Sequence, residues 1–146
     1  MSEFRTLSDT MLVSPQIGVD DIAAAKAQGV TLIVNNRPDG ESPDQPAGAK
    51  IEAGARGAGL DYCAIPVTQA GFSMPQVDEM ADAVERASGA VLAYCRSGTR
   101  STFLWSLAQA KGGMAPDEIE RAANQAGYDI GPIKPTIVML AAQDGD

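Results

Sequence analysis

Ala90-Val91-Leu92-Ala93-Tyr94-Cys95-Arg96-Ser97-Gly98-Thr99-Arg100-Ser101 is the stretch on which the reading of this chain turns. The apolar run Ala90–Tyr94 predicts a short strand buried on both faces. Cys95 then opens a loop in which Gly98 lets the backbone curl, so that successive amide N–H groups can converge on one point. A helix is expected to begin around Ser101 and to run over Thr102–Ala110, ending at Gly112-Gly113. Open α/β sheets bind ligands beyond the carboxyl ends of their strands, which is where this loop would stand. Converging amides and the positive end of a helix form a cradle for an anion, and the same cradle favours a thiolate over a thiol. Free cysteine titrates near about 8.5, such surroundings lower it to about 3.5–7.5, and the thiolate is the nucleophile.

Cys95 is therefore the candidate nucleophile. Arg100 offers a planar fork matched to two oxygens of an anion. Ser101 either donates to the thiolate or caps the following helix. Arg96, Ser97, Gly98 and Thr99 are the candidate anion-binding residues, although the side chain of Arg96 could equally point to solvent. The chain has no histidine, which excludes Ser-His-Asp and Cys-His mechanisms and removes the commonest zinc ligand. Activation must come from backbone amides, a helix terminus and arginine. No metal and no cofactor is called for.

Working outward, short strands are expected at Phe4–Leu7 and Met11–Ser14, a helix over Val19–Gln28, and a buried strand at Val30–Asn35. Asn36-Arg37-Pro38-Asp39-Gly40 breaks that strand with turn chemistry and leads into a polar loop reaching Pro46. A helix follows over Ala47–Gly57, then a strand at Leu60–Val67 and a loop at Thr68–Ser73. Pro75 opens a helix whose Val77, Met80, Ala81 and Val84 share one face. Helices are also expected from Ala115 to Ala126 and from Pro132 to Ala142. Strands alternating with helices predict an α/β fold with a mostly parallel central sheet flanked by helices. The 146 residues suit a single domain over 1–146.

Composition narrows the partners. A formal net charge of −8 repels nucleic acid and anionic lipid surfaces, so neither is expected as a partner. An anionic ligand must be drawn in by a local positive site, which gives the paired arginines Arg96 and Arg100 their meaning. Apolar runs are too short to span a bilayer, and Met1 to Asp9 lacks the apolar core of a secretory signal, so a cytoplasmic location is expected. Two cysteines are too few for a disulfide framework. Cys63 reads as a core residue in mid-strand, or as a resolving partner for oxidised Cys95. Phe103 and Trp105 read as packing residues, and Asp117, Glu118 and Glu120 as a solvated helix start.

The loop Cys95–Ser101 resembles the active-site signature shared, with variations, by cysteine-dependent phosphatases and rhodanese-type sulfurtransferases. The wider sequence is similar to the bacterial family related to the phosphatase-like domain of beta-lactamase hydrolase-like protein. Val34–Glu41, Gly59–Tyr62 with Ile65–Val67, Cys95–Ser101 and Ala126–Asp129 carry that likeness, which spans about Asp9 to Gly131. It implies a dual-specificity-phosphatase-like three-layer domain. Three departures from the phosphatase pattern stand out. Four residues rather than five separate Cys95 from Arg100, a rhodanese-like spacing. Tyr94 occupies the place of the usual histidine. The stretch Pro66–Phe72, where phosphatases carry an aspartate acid, contains none.

A positioned proton donor contributes about 10²–10⁴-fold, so its loss matters for poor leaving groups. Asp39 is a substitute if its loop folds over the site; otherwise it belongs to a Pro-Asp-Gly turn. Arg37, on the same loop, lines the anion pocket or lies at the surface. The leading expectation is a phosphatase-like hydrolase of a small phosphoester acting through Cys95. The alternatives are a sulfurtransferase forming a Cys95 persulfide from a sulfur-donor anion, and an anion-binding or redox-sensing module without turnover.

Overall fold

The computed structural model describes residues 4–68 and 71–144. Expectations for residues 1–3, for Gln69 and Ala70 in the loop after Thr68, and for 145–146 at the end of the acidic tail lie outside them. The elements run β1 (Arg5–Ser8), β2 (Met11–Ser14), a 3-10 turn (Val19–Asp21), α1 (Ile22–Ala27), β3 (Val30–Asn35) and α2 (Gly48–Gly57). They continue with β4 (Asp61–Ala64), α3 (Met74–Arg86), β5 (Ala90–Tyr94), α4 (Thr99–Lys111), α5 (Pro116–Gln125), a second 3-10 turn (Gly131–Ile133) and α6 (Lys134–Asp144).

The strands form one sheet in the order β1-β2-β5-β3-β4, with β1 antiparallel and the other pairings parallel. This is the mostly parallel α/β sheet that the alternation of elements implied. Its register brings Ser14, Tyr94, Asn35 and Ala64 level at one edge. All four parallel strands therefore release their loops on the same side, and those loops include Cys95 and Arg37.

Successive strand residues face opposite ways, and the two faces of the sheet bury different helices. Val91 and Ala93 of β5 pack with Leu104 and Ile137 in the larger apolar cluster, which α3, α4, α5 and α6 cover. Leu92 and Tyr94 face the other way, into the cluster holding Ile22 of α1 and Ile51 of α2. Trp105 is 2% exposed in the larger cluster, a packing residue as expected. On α3 the buried positions are Val77, Met80 and Ala83, and Ser73 closes a capping box with Gln76.

Several boundaries differ from the sequence reading, and three of them have a clear local cause. The first expected helix divides into the 3-10 turn and α1, where Asp21 accepts the Gly18 amide at 2.7 Å. The strand after α2 ends at Ala64 because Pro66 lacks an N–H; Ile65 and Val67 instead donate to the carbonyls of Asn35 and Asn36. The third difference bears on the site. α4 begins at Thr99 rather than near Ser101, since the Gly98 carbonyl already accepts the Thr102 amide at 2.9 Å. Ser101 thus lies within the first turn and does not cap the helix.

Candidate active site

β5 delivers Cys95 to the sheet edge, and its last inward residue settles which way the sulfur points. Tyr94 faces α1 and α2, so Cys95 falls on the opposite face, the one covered by α4. The residue is fully buried, and the Gly98 amide donates to its Sγ at 3.1 Å. Gly98 adopts φ +92°, the left-handed conformation that lets the chain turn back on the sulfur before entering α4. A Cβ at Gly98 would collide with the Tyr128 hydroxyl and lie 2.9 Å from its Cζ. That hydroxyl donates to the Ser97 carbonyl at 3.0 Å, and Arg5 lies over the Tyr128 ring, 5.3 Å from its centroid. The short turn before the final helix therefore clamps the loop from outside. Only the family likeness of Ala126–Asp129 pointed to this segment.

The loop side chains divide by function. The Ser97 hydroxyl accepts the Thr99 amide at 3.3 Å and donates to the Thr99 hydroxyl at 3.0 Å, so both residues stabilise the helix start. Ser101 Oγ is buried without a hydrogen-bond partner among the described residues, an arrangement costly enough to ask for a ligand or a charged neighbour. Arg96 is exposed, and its carbonyl accepts the Gln16 amide at 3.3 Å.

Arg100 is held by Glu41, which the sequence reading did not single out. Nη1 donates to Glu41 Oε2 and to the Val67 carbonyl, both at 2.7 Å, and Nη2 donates to Glu41 Oε1 at 2.8 Å. Those bonds occupy the outer edge of the guanidinium. The Nε–H and the second Nη2–H form its other edge, the fork that fits two oxygens of an anion. Glu41 raises the Arg100 pKa first, burial opposes it, and the nearby Cys95 also contributes upward. The Glu41 carboxyl is in turn lowered to about 2, chiefly by its hydrogen bond to Arg100, with Arg37 adding to it.

Arg37 neither lines the anion cradle with a free guanidinium nor lies at the surface. It is 5% exposed and spends its donors on Glu41 Oε1 at 2.9 Å, Gln16 Oε1 at 3.0 Å and Ser42 Oγ at 3.2 Å. Its place is behind Glu41, as the second cation that fixes the carboxylate. Asp39 accepts the Gly48 amide at 2.8 Å and so ties down the start of α2. It lines a small cavity with Asn35, Glu52 and Tyr62, apart from the one that Arg100 lines. Space at Gly48 is tight, since a Cβ would lie 2.9 Å from Asn35 Nδ2 and 3.1 Å from the Tyr62 hydroxyl.

A cavity of about 480 Å³ adjoins the loop, with Glu41, Arg96, Thr99 and Arg100 on its polar side. Phe72 and Phe103 form its apolar side, their ring centroids 6.2 Å apart. Phe103 is thus a wall of the cavity as well as a packing residue. Tyr94, standing where phosphatases have histidine, is buried with its hydroxyl near Tyr62, and burial pushes its acidity far out of reach. It is a neutral phenol on the opposite face from the sulfur.

Cys63 does not serve as a resolving thiol in this fold. It pairs with Val34, which pairs with Ala93, two residues short of Cys95. Two strand spacings of about 4.8 Å and two residues of about 3.3 Å separate the Cα atoms by about 12 Å, beyond the roughly 7 Å a disulfide can bridge. Burial also pushes the Cys63 thiol upward. Among the described residues no cluster of His, Cys, Asp or Glu could hold a metal ion, and no helix is long and apolar enough to cross a membrane.

Comparison with known proteins gives this geometry a family. Residues 3–112 match the phosphatase-like domain of beta-lactamase hydrolase-like protein. The beta-lactamase hydrolase-like protein of Xylella fastidiosa (strain Temecula1) is 33% identical over 126 residues, covering 86% of this chain. The chain spans 29% of that relative's length. A Neisseria meningitidis protein described as a "putative phosphatase" is 32% identical, with a TM-score of 0.82 over 93% of this chain and 96% of that one. Tk-PTP in its active form shares the fold at 15% identity, with a TM-score of 0.73 over 96% of this chain and 97% of its own. The chain belongs to the family of the phosphatase-like domain of beta-lactamase hydrolase-like protein.

Proposed function

We propose that this member of a phosphatase-like family is a cysteine-dependent hydrolase of a small anionic phosphoester. The observation that carries the reading is Cys95 Sγ accepting the Gly98 amide at 3.1 Å, beside the Arg100 guanidinium, whose charge interacts with that sulfur. In this reading the Arg100 fork and the loop amides hold the phosphoryl oxygens while the Cys95 thiolate attacks phosphorus. The P–O bond to the leaving group breaks, and the leaving oxygen takes its proton from water. Water then attacks the phosphocysteine, the P–S bond breaks, and inorganic phosphate leaves. Ser101 Oγ, buried and unpartnered, is the hydroxyl available to the departing sulfur.

The proton inventory favours substrates with stable leaving anions. Glu41 stays ionised between two arginines, and Asp39 is engaged at α2. Neither is a ready acid, so aryl esters suit the site better than alkyl esters. The four-residue spacing from Cys95 to Arg100 favours a second reading, sulfur transfer through a Cys95 persulfide, whose leaving group needs no proton.

One paired assay decides between them. Wild type and Cys95→Ser are given an aryl phosphate, and separately thiosulfate with cyanide as acceptor. The expected result is phosphate release by the wild type alone, with no thiocyanate. Thiocyanate formation, with one sulfur added to the intact protein, would replace the hydrolase by the sulfurtransferase. Equal inertness of both proteins in both assays would leave an anion-binding module.

A further inference from the structure

Three arginines stand at the site, and counting their donors separates them. Arg37 is buried and bonded to Glu41, Gln16 and Ser42. Arg100 gives its outer edge to Glu41 and Val67. The exposed Arg96 guanidinium makes no hydrogen bond or salt bridge among the described residues, and its charge acts only at a distance on the Asp44 carboxylate. Yet its backbone is fixed, through the Gln16 amide on its carbonyl and through its place next to Cys95. It also lines two cavities at once, the 480 Å³ cavity beside the loop and a neighbouring one of about 250 Å³. A cation with no hydrogen-bonded partner among the described residues, on an anchored stem in a protein of net charge −8, is placed to read a negative group.

The linings of the two cavities decide which side such a group takes: each has two arginines and one carboxylate, but only the larger adjoins Arg100 and has an aromatic wall. The smaller cavity contains Asp44, which accepts the Ser42 hydroxyl at 2.9 Å, and Arg37, whose donors go to Glu41, Gln16 and Ser42. The larger one contains Glu41, which the guanidinia of Arg37 and Arg100 neutralise, and the apolar wall of Phe72 and Phe103. A ligand whose first anion sits in the Cys95 loop therefore reaches Arg96 from the larger cavity, which adjoins Arg100 and supplies the apolar wall.

Building on the anion loop of the functional reading above, we propose that Arg96 selects substrates carrying a second anionic group. The ligand class is an ester with one anion for the Cys95 loop, an apolar body for Phe72 and Phe103, and a carboxylate or phosphate for Arg96. The test measures calorimetric binding of phenyl phosphate and 4-carboxyphenyl phosphate to the Cys95→Ser protein. The added carboxylate is expected to tighten binding about tenfold, the size of one charge-assisted hydrogen-bonded contact. Arg96→Met in the same background removes that gain. Arg86→Met keeps it, because Arg86 lies on α3, away from both cavities, and costs the protein the same charge. The proposal fails if neither compound binds, if the carboxylate brings no gain, if the gain survives Arg96→Met, or if Arg86→Met abolishes it equally. Turnover of phenyl phosphate by the protein with Cys95 intact reports separately on the hydrolase reading. Absent turnover with an Arg96-dependent gain overturns that reading and leaves the selection by Arg96 standing.

Discussion

Glu41 puts a carboxylate into a cavity whose proposed ligand is itself an anion, and two guanidinia make this tolerable. Its folded pKa of about 2 lies below the ordinary 4.5, so the pairing stabilises the protein fully above the ordinary value. That stability is lost as the pH falls from about 4.5 to about 2. Allowing for solvent screening at a side chain 26% exposed, the contribution is about 1 kcal/mol. Glu41→Gln is expected to be less stable than wild type at neutral pH and to converge with it near pH 2, as measured by urea midpoints across that range. A constant difference down to pH 2 would refute the pairing as the cause. Ser101 is tested kinetically. Ser101→Ala should slow phosphocysteine breakdown about tenfold while leaving its formation nearly intact, so that an aryl phosphate gives a burst of phenol in stopped flow.

At the scale of elements, two helix starts do different jobs. α4 begins on a left-handed glycine pressed against Tyr128, and the same contact holds the loop around the sulfur. Gly98→Ala should destabilise the fold by about 1–3 kcal/mol through its positive φ and its clash with Tyr128, and should abolish turnover. The checks are thermal unfolding and aryl phosphate hydrolysis, and a variant with normal turnover would remove the loop from the mechanism. α2 begins on the Asp39 carboxylate. Asp39→Ala should cost about 1 kcal/mol in chemical denaturation, as lost helix caps do. Its turnover should fall by far less than the 10²–10⁴-fold that loss of a proton donor brings. A large rate loss at unchanged stability would identify Asp39 as the acid after all.

For the molecule as a whole, a charge of −8 opposes an incoming anion over distances that salt screens, whereas the contacts proposed at Arg100 and Arg96 act at short range. Raising ionic strength from about 10 mM to 100 mM shortens the Debye length from about 30 Å to about 10 Å. The kcat/KM for an aryl phosphate is expected to rise over that range. A steep fall would mean that a local positive field reaches beyond the site. The sheet order also governs cysteine chemistry on this scale, because β3 stands between the strands that carry Cys63 and Cys95.

The strands Val30–Asn35 and Ala90–Tyr94 were legible to the residue, because a strand buried on both faces needs an unbroken apolar run that turn residues then end. The strand, loop and helix order around Cys95 and the absence of histidine were read the same way, since both depend on which residues are present and in what order; Cys95 as nucleophile rests on the proposed function. Arg37, Glu41 and Tyr128 were not. Their roles come from contacts across 59 residues in the case of Glu41 and Arg100, and across 31 in the case of Tyr128 and Ser97. Such pairings depend on the strand order and the loops it brings to one edge, which no local pattern encodes. The sequence alone determined which groups can do chemistry; the tertiary structure decided which of them are already engaged with one another and which remain free to meet a ligand.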